Sequence, residues 1–119
     1  AALAVRRDAF LAAGGFDAAF GMHMEEIDLC WRLRRAGGRV RVAPASVVAH
    51  LGGASLPQGH PRKTYLNFRN NLVMLAKNLP ERELRAVLRA RRGLDAVAAA
   101  QAVATGRPAD ARAIRRAWT

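Results

Sequence analysis

Apolar and polar positions along the chain alternate in two different rhythms. Ile27, Leu29, Cys30, Leu33 and Ala36 recur at helical spacing and predict a helix over residues 25–36. Acidic residues fill its first turn and Arg32, Arg34 and Arg35 its end, as the helix dipole favours, and Gly37-Gly38 stop it. Upstream, the apolar run Ala1–Val5 reads as a buried strand, and a short helix over 9–13 ends at Gly14-Gly15. Downstream, Arg39-Val40-Arg41-Val42 alternates with the period of two of a half-buried strand. Pro44 breaks it, and Val47-Val48-Ala49 forms another short apolar run ending at His50. Residues 51–60, with their glycines and proline, read as a loop. Tyr65, Phe68, Leu72 and Leu75 predict a helix over about 62–77, punctuated by Pro80. Leu84, Val87, Leu88 and Leu94 then alternate with arginines on an amphipathic helix that extends through the alanine-rich 96–104. Gly106 and Pro108 interrupt it, and a last short helix spans 109–118. No internal repeat is visible. Helices mixed with short strands predict an α/β fold.

A chain of 119 residues suffices for one small domain with a modest core. Its apolar content of 51% argues against wholesale disorder, and with 6% aromatics alanine, leucine and valine must fill the core. The formal net charge of +11 attracts anionic partners in general: nucleic acid, anionic lipid or phosphorylated substrates. The charge is spread, however. Residues 1–80 hold 11 basic and 5 acidic side chains, residues 81–119 hold 9 and 4, and no basic tract exceeds two residues. No groove-reading helix or stacking-aromatic pattern is visible, so no nucleic acid is expected as a partner. The single cysteine, Cys30, excludes an intrachain disulfide and gives no sign of an oxidising compartment. No run reaches the roughly 20 apolar residues of a bilayer span. The start lacks an initiator Met and opens like the middle of a strand, so the chain reads as part of something longer.

The chemistry concentrates in Met24-Glu25-Glu26-Ile27-Asp28-Leu29-Cys30-Trp31-Arg32, where three carboxylates stand within four residues at a helix start. Glu25 and Asp28 share a face, and Glu26 points roughly 100° away. Neighbouring carboxylates repel, a condition that suits one of them to act as a general base. The competing reading is an acidic first turn that only complements the helix dipole.

Taken in order, Gly14-Gly15-Phe16-Asp17, Glu25 to Leu33, Ala36-Gly37, Pro44 and His50 resemble the latter half of family-2 glycosyltransferases with the GT-A fold. The likeness is strongest to their bacterial rhamnosyltransferase-like branch. Arg62-Lys63-Thr64-Tyr65 and Asn67 to Asn71, through Lys77-Asn78-Leu79-Pro80, resemble the family's next helix. The resemblance covers about residues 1–80 and leaves 81–119 as a basic helical tail. It implies the carboxyl-terminal half of a GT-A fold with short strands, a catalytic helix and trailing helices. It also implies inverting transfer of a sugar from a nucleotide-sugar donor to a glycan or lipid-linked acceptor in cell-envelope polysaccharide synthesis. Glu26 stands where the family has its base, usually an Asp. Glu25 and Asp28 would support the helix start and bind the acceptor, with Asp17 and Trp31 as further acceptor contacts. His50 matches a histidine that completes the site of a divalent metal, Mg or Mn, on the donor diphosphate, and Arg62 and Lys63 would contact that diphosphate. His23 and His60 have no such context and read as surface residues. The family's upstream Asp-x-Asp motif is missing, and no such triplet occurs in the chain, so the isolated chain is expected to be inactive. The resemblance implies a cytoplasmic enzyme; an arginine-flanked tail lying on anionic lipid would place it at the inner face of the membrane, and the competing reading is a solvated helix packed on the catalytic domain. The alternative is a non-catalytic basic module that docks on membrane or nucleic acid, which would have no use for three clustered carboxylates.

Overall fold

The computed structural model describes residues 2–49, 57 and 59–119. The chain forms two compact units, Ala1–Ala54 and Ser55–Thr119. The regular elements among the described residues are all helical: α1 (Arg7–Ala12), a single 3-10 turn (Ala18–Phe20), α2 (Glu25–Arg35), α3 (Pro61–Asn78), α4 (Glu81–Ala104) and α5 (Pro108–Arg116).

The predicted α/β class, and with it half of a GT-A fold, is therefore corrected. Residues 2–5, 39–42 and 47–49 form no strand. An alternating pattern specifies a face, whereas a strand also needs a neighbour to complete its hydrogen-bond ladder. Among the described residues no such neighbour exists, and Val42 and Val47 remain 87% and 92% exposed. The five helices, in contrast, fall within a few residues of their predicted bounds, because helical hydrogen bonds are satisfied inside the segment itself.

In the first unit the Gly14-Gly15 stop sets the geometry. Both glycines hold left-handed φ values, +79° and +68°. Gly15 N–H donates to the Phe10 carbonyl at 2.9 Å and Gly14 N–H to that of Leu11 at 3.0 Å, the paired bonds of a Schellman cap. A Cβ on Gly15 would stand 3.2 Å from the Phe10 ring, so the position admits little else. Phe10 and Phe16 meet edge to face across the turn, 5.3 Å between centroids. Asp17 then caps the 3-10 turn, its Oδ1 accepting from Ala19 N–H at 2.9 Å. That turn delivers Phe20 into the interior, where it is buried together with Leu29 of α2.

The second unit packs α5 against α3 and α4. Its core is made of small and flexible side chains, namely Met74, Ala102, Ala111, Ala113 and Ile114, as the scarcity of aromatics requires. Buried polar groups cross-link the helices. Thr64 Oγ1 on α3 donates to Asp110 Oδ1 on α5 at 2.8 Å. Asp95 on α4 accepts from Arg91 Nε at 2.6 Å and from Trp118 Nε1, just beyond α5, at 3.0 Å. Because α3 packs on α5, compactness divides the chain at 54/55, whereas the family resemblance ends near residue 80.

Candidate functional site

The acidic start of α2 is built on an unusual backbone. His23 and Met24, neither of them glycine, both hold left-handed φ values of +70° and +73°. Each such residue costs of the order of 1 kcal/mol or more, and costs of this kind cluster at functional sites. Met24, the N-cap, supplies no side-chain cap. The first turn of α2 is therefore left open to groups outside the helix.

The three carboxylates that follow have different surroundings. Asp28 is completely buried, and its Oδ2 accepts from Arg32 Nε at 2.8 Å. Arg32 then spends the rest of its guanidinium on the end of α1, donating through Nη1 to the Ala13 carbonyl and through Nη2 to that of Gly15 at 2.7 Å. This Asp28–Arg32 clamp locks the Gly14-Gly15-Phe16-Asp17 turn onto α2 and satisfies carbonyls left over at the end of α1. The Asp28 carboxylate is thus engaged in holding the helix start to the preceding turn. Asp17 is similarly committed to its cap.

Glu25 lies half-buried on the same side of α2 as Leu29, and its Oε2 is buried with no hydrogen-bond partner among the described residues. A shielded carboxylate oxygen is costly to leave unmatched, so it favours a donor brought by a ligand or solvent. Glu26 is half-buried as well, and makes no hydrogen bond or ion pair among the described residues. It stands one turn before Cys30, which with Ile27, Trp31, Arg34, Arg35 and Val40 lines an open hollow of about 600 Å³. That hollow is walled by an aromatic ring, aliphatic side chains and two arginines, and Glu26 precedes two of its lining residues, Ile27 and Cys30, on α2.

Arg62 and Lys63 belong to the second unit, in the first turn of α3. Arg62 lines a hollow there with Tyr65 and residues of α5, and Lys63 is not part of that lining. His60 is exposed and caps α3, its Nδ1 accepting from Arg62 N–H at 3.1 Å. His23 differs from its expected surface setting: it is half-buried, with Nε2 shielded. His50, the expected metal ligand, lies outside the described residues. Among the described residues no group of three or more His, Cys, Asp or Glu side chains comes together to hold a metal ion. Likewise, no helix among them is long and apolar enough to cross a membrane.

Two features of the site were not read from the sequence. The Arg32 clamp had a usable signal, since Asp28 and Arg32 are oppositely charged at i and i+4. The left-handed pair His23-Met24 had only a weak one, because histidine is enriched in that conformation but still adopts it uncommonly, and methionine is not enriched there.

Comparison with known proteins bears on which chemistry such a site serves. Over 66 residues the chain is 42% identical to the pre-mycofactocin glycosyltransferase of Mycobacterium tuberculosis, in both strain CDC 1551 / Oshkosh and strain ATCC 25618 / H37Rv. The chain is similar to part of a glycosyltransferase. That match takes in 55% of this chain but only 14% of the relatives' length. No family model matches the chain, and no solved structure is matched.

Proposed function

We propose that this chain contributes the acceptor-activating segment of an inverting glycosyltransferase, with Glu26 as the general base. What carries the reading is Glu26 itself, a carboxylate unpaired among the described residues, on a helix that lines an aromatic-walled hollow, in a chain locally similar to a glycosyltransferase. In the reaction, the Glu26 carboxylate takes the proton from an acceptor hydroxyl as that oxygen bonds to the anomeric carbon of the donor sugar. The bond from that carbon to the donor's diphosphate oxygen breaks on the opposite face, and the diphosphate leaves with the electron pair. Configuration at the carbon is inverted.

The other side chains have distinct parts. Glu25 Oε2 accepts a hydrogen bond from the acceptor, and Trp31 offers a face on which a sugar ring stacks. Asp28 acts through Arg32 by holding the helix start in place. Arg62 and Lys63 belong to the same proposal as contacts to the donor diphosphate, a role suited to guanidinium and ammonium groups. A divalent Mg or Mn ion with His50 as one ligand is also part of it. Such an ion would neutralise charge on the leaving diphosphate, and no step above depends on it. A nucleotide-sugar donor, a glycan or lipid-linked acceptor and a place at the inner face of the cytoplasmic membrane complete the proposal. The family-2 assignment and the rhamnosyltransferase-like branch rest on the motif resemblance.

The test is made on the full-length protein. It is incubated with a panel of nucleotide sugars and a bacterial glycan and lipid extract, and products are followed by mass spectrometry and anomeric NMR. A glycosidic product of inverted configuration is expected. A retained configuration would contradict the single-displacement mechanism, and no turnover with any donor would contradict glycosyl transfer.

A further inference from the structure

A cluster of three arginines lies far along the sequence from the acidic helix, in the second unit. Between α3 and α5 a hollow of about 520 Å³ is lined by Arg62, Arg112 and Arg116, with Pro61, Tyr65, Ala109 and Ala113 as its apolar floor. No acidic residue lines it. Arg112 and Arg116 sit at i and i+4 on α5, where like charges repel, and Arg62 adds a third charge from α3. Among the described residues the side chains of all three make no ion pair or hydrogen bond. The nearest carboxylate in sequence, Asp110, is buried and engaged by Thr64 and by Arg107.

Some other arginines of this unit are paired with carboxylates, although the side chains of Arg89 and Arg115, like those of the cluster, make no ion pair or hydrogen bond among the described residues. Arg91 pairs with Asp95, Arg85 with Glu81 and Arg82 with Glu83. Only Arg116 of the cluster has an internal contact, lying 5.5 Å above the Tyr65 ring, which orients its guanidinium without neutralising it. Three arginines that line an apolar floor, unpaired among the described residues, offer a receptor for an anion that carries an apolar or planar part.

We propose that this hollow binds an organic phosphate or diphosphate, its charge held by Arg62, Arg112 and Arg116 and its organic part resting on Tyr65 and Pro61. The proposal takes up Arg62 from the transfer reading but rests on binding alone. It adds Arg112 and Arg116 of the tail, where the family resemblance thins. The same phosphate chemistry is offered by a soluble diphosphate and by a lipid headgroup, and the two sources are separated by experiment.

The full-length protein and its Arg112→Gln/Arg116→Gln variant are titrated with inorganic pyrophosphate and with uridine diphosphate in a calorimeter. Both are also sedimented with phosphatidylcholine vesicles, with and without phosphatidic acid. An Arg85→Gln/Arg89→Gln variant removes the same charge elsewhere. Arg112 and Arg116 are exposed, so the fold is expected to persist, and Arg62→Gln provides the same test by a different side chain. The site predicts at least about a tenfold loss of affinity in the Arg112/Arg116 variant and little change in the Arg85/Arg89 control. Loss with the soluble diphosphates identifies a soluble ligand, and loss only with phosphatidic acid vesicles identifies a lipid headgroup. Equal losses in test and control variants, or none in either, would overturn the site. Binding is read without turnover, so an enzyme that fails to transfer sugar leaves this result standing.

Discussion

Glu26 and Asp28 stand two residues apart on α2 and meet opposite surroundings. Asp28 is sealed inside and bound to Arg32, whereas the Glu26 side chain makes no hydrogen bond or ion pair among the described residues. The sequence shows both as members of one acidic cluster, and helical geometry separates them by direction. The surroundings of Asp28 depend on Arg32, which also reaches the Ala13 and Gly15 carbonyls before α2, and so they are not legible in the cluster alone. The clamp makes a stability prediction. Asp28→Ala leaves Arg32 without its carboxylate and is expected to cost about 2–3 kcal/mol, measured by urea denaturation. A cost below about 0.5 kcal/mol would show that the clamp holds nothing. A second acidic residue gives a pH prediction. The Arg6 guanidinium, hydrogen-bonded to Asp8 at 2.6 Å, and the Ala9 N–H hold the Asp8 carboxyl below its ordinary range. Any stabilisation from a lowered carboxylate is present above its unfolded-state value and lost as pH falls through the folded value. This pair is largely exposed and screened by salt, so its signature is the titration itself. In Arg6→Gln the Asp8 carboxyl is expected to titrate at higher pH by NMR, and an unchanged titration would rule out the pairing.

Helices and their stops were largely legible. Gly14-Gly15, Gly37-Gly38 and Gly106 end α1, α2 and α4 as their spacing predicts, because a left-handed residue closes a helix most cheaply as glycine. The apolar runs before α1 and after α2 were read as strands and are not. Period-two alternation says which side of a segment is apolar, and a ladder needs a second segment that no local pattern can name. One glycine departs from the rule. Gly93 lies inside α4, and a Cβ added there would meet nothing within 4 Å. Gly93→Ala is therefore expected to stabilise the protein by up to about 1 kcal/mol through lower chain entropy and better helix propensity. Calorimetric melting checks this, and a lowered Tm would mean that something covers that face of α4.

At the scale of the whole molecule, the charge of +11 is less of a functional signal than it looks in the sequence. Several arginines do structural work, such as Arg32 on Asp28, Arg91 on Asp95 and Arg92 over the Trp118 ring. What stands out instead is the group of arginines around the α3–α5 hollow, unpaired among the described residues, and that grouping depends on tertiary packing between residues about 50 apart in sequence. The acidic cluster that holds the proposed base is visible in the sequence because it lies within one helical turn. The arginine hollow is not, because only Arg62 of its three arginines lies within the resembling segment. The measurement that bears most directly on the central claim compares the full-length protein with its Glu26→Gln variant for sugar transfer and for donor binding. Glutamine keeps the size of the side chain and removes its ability to take a proton, so transfer is expected to fall by at least about 100-fold with donor affinity unchanged. Transfer retained in Glu26→Gln would contradict Glu26 as the base.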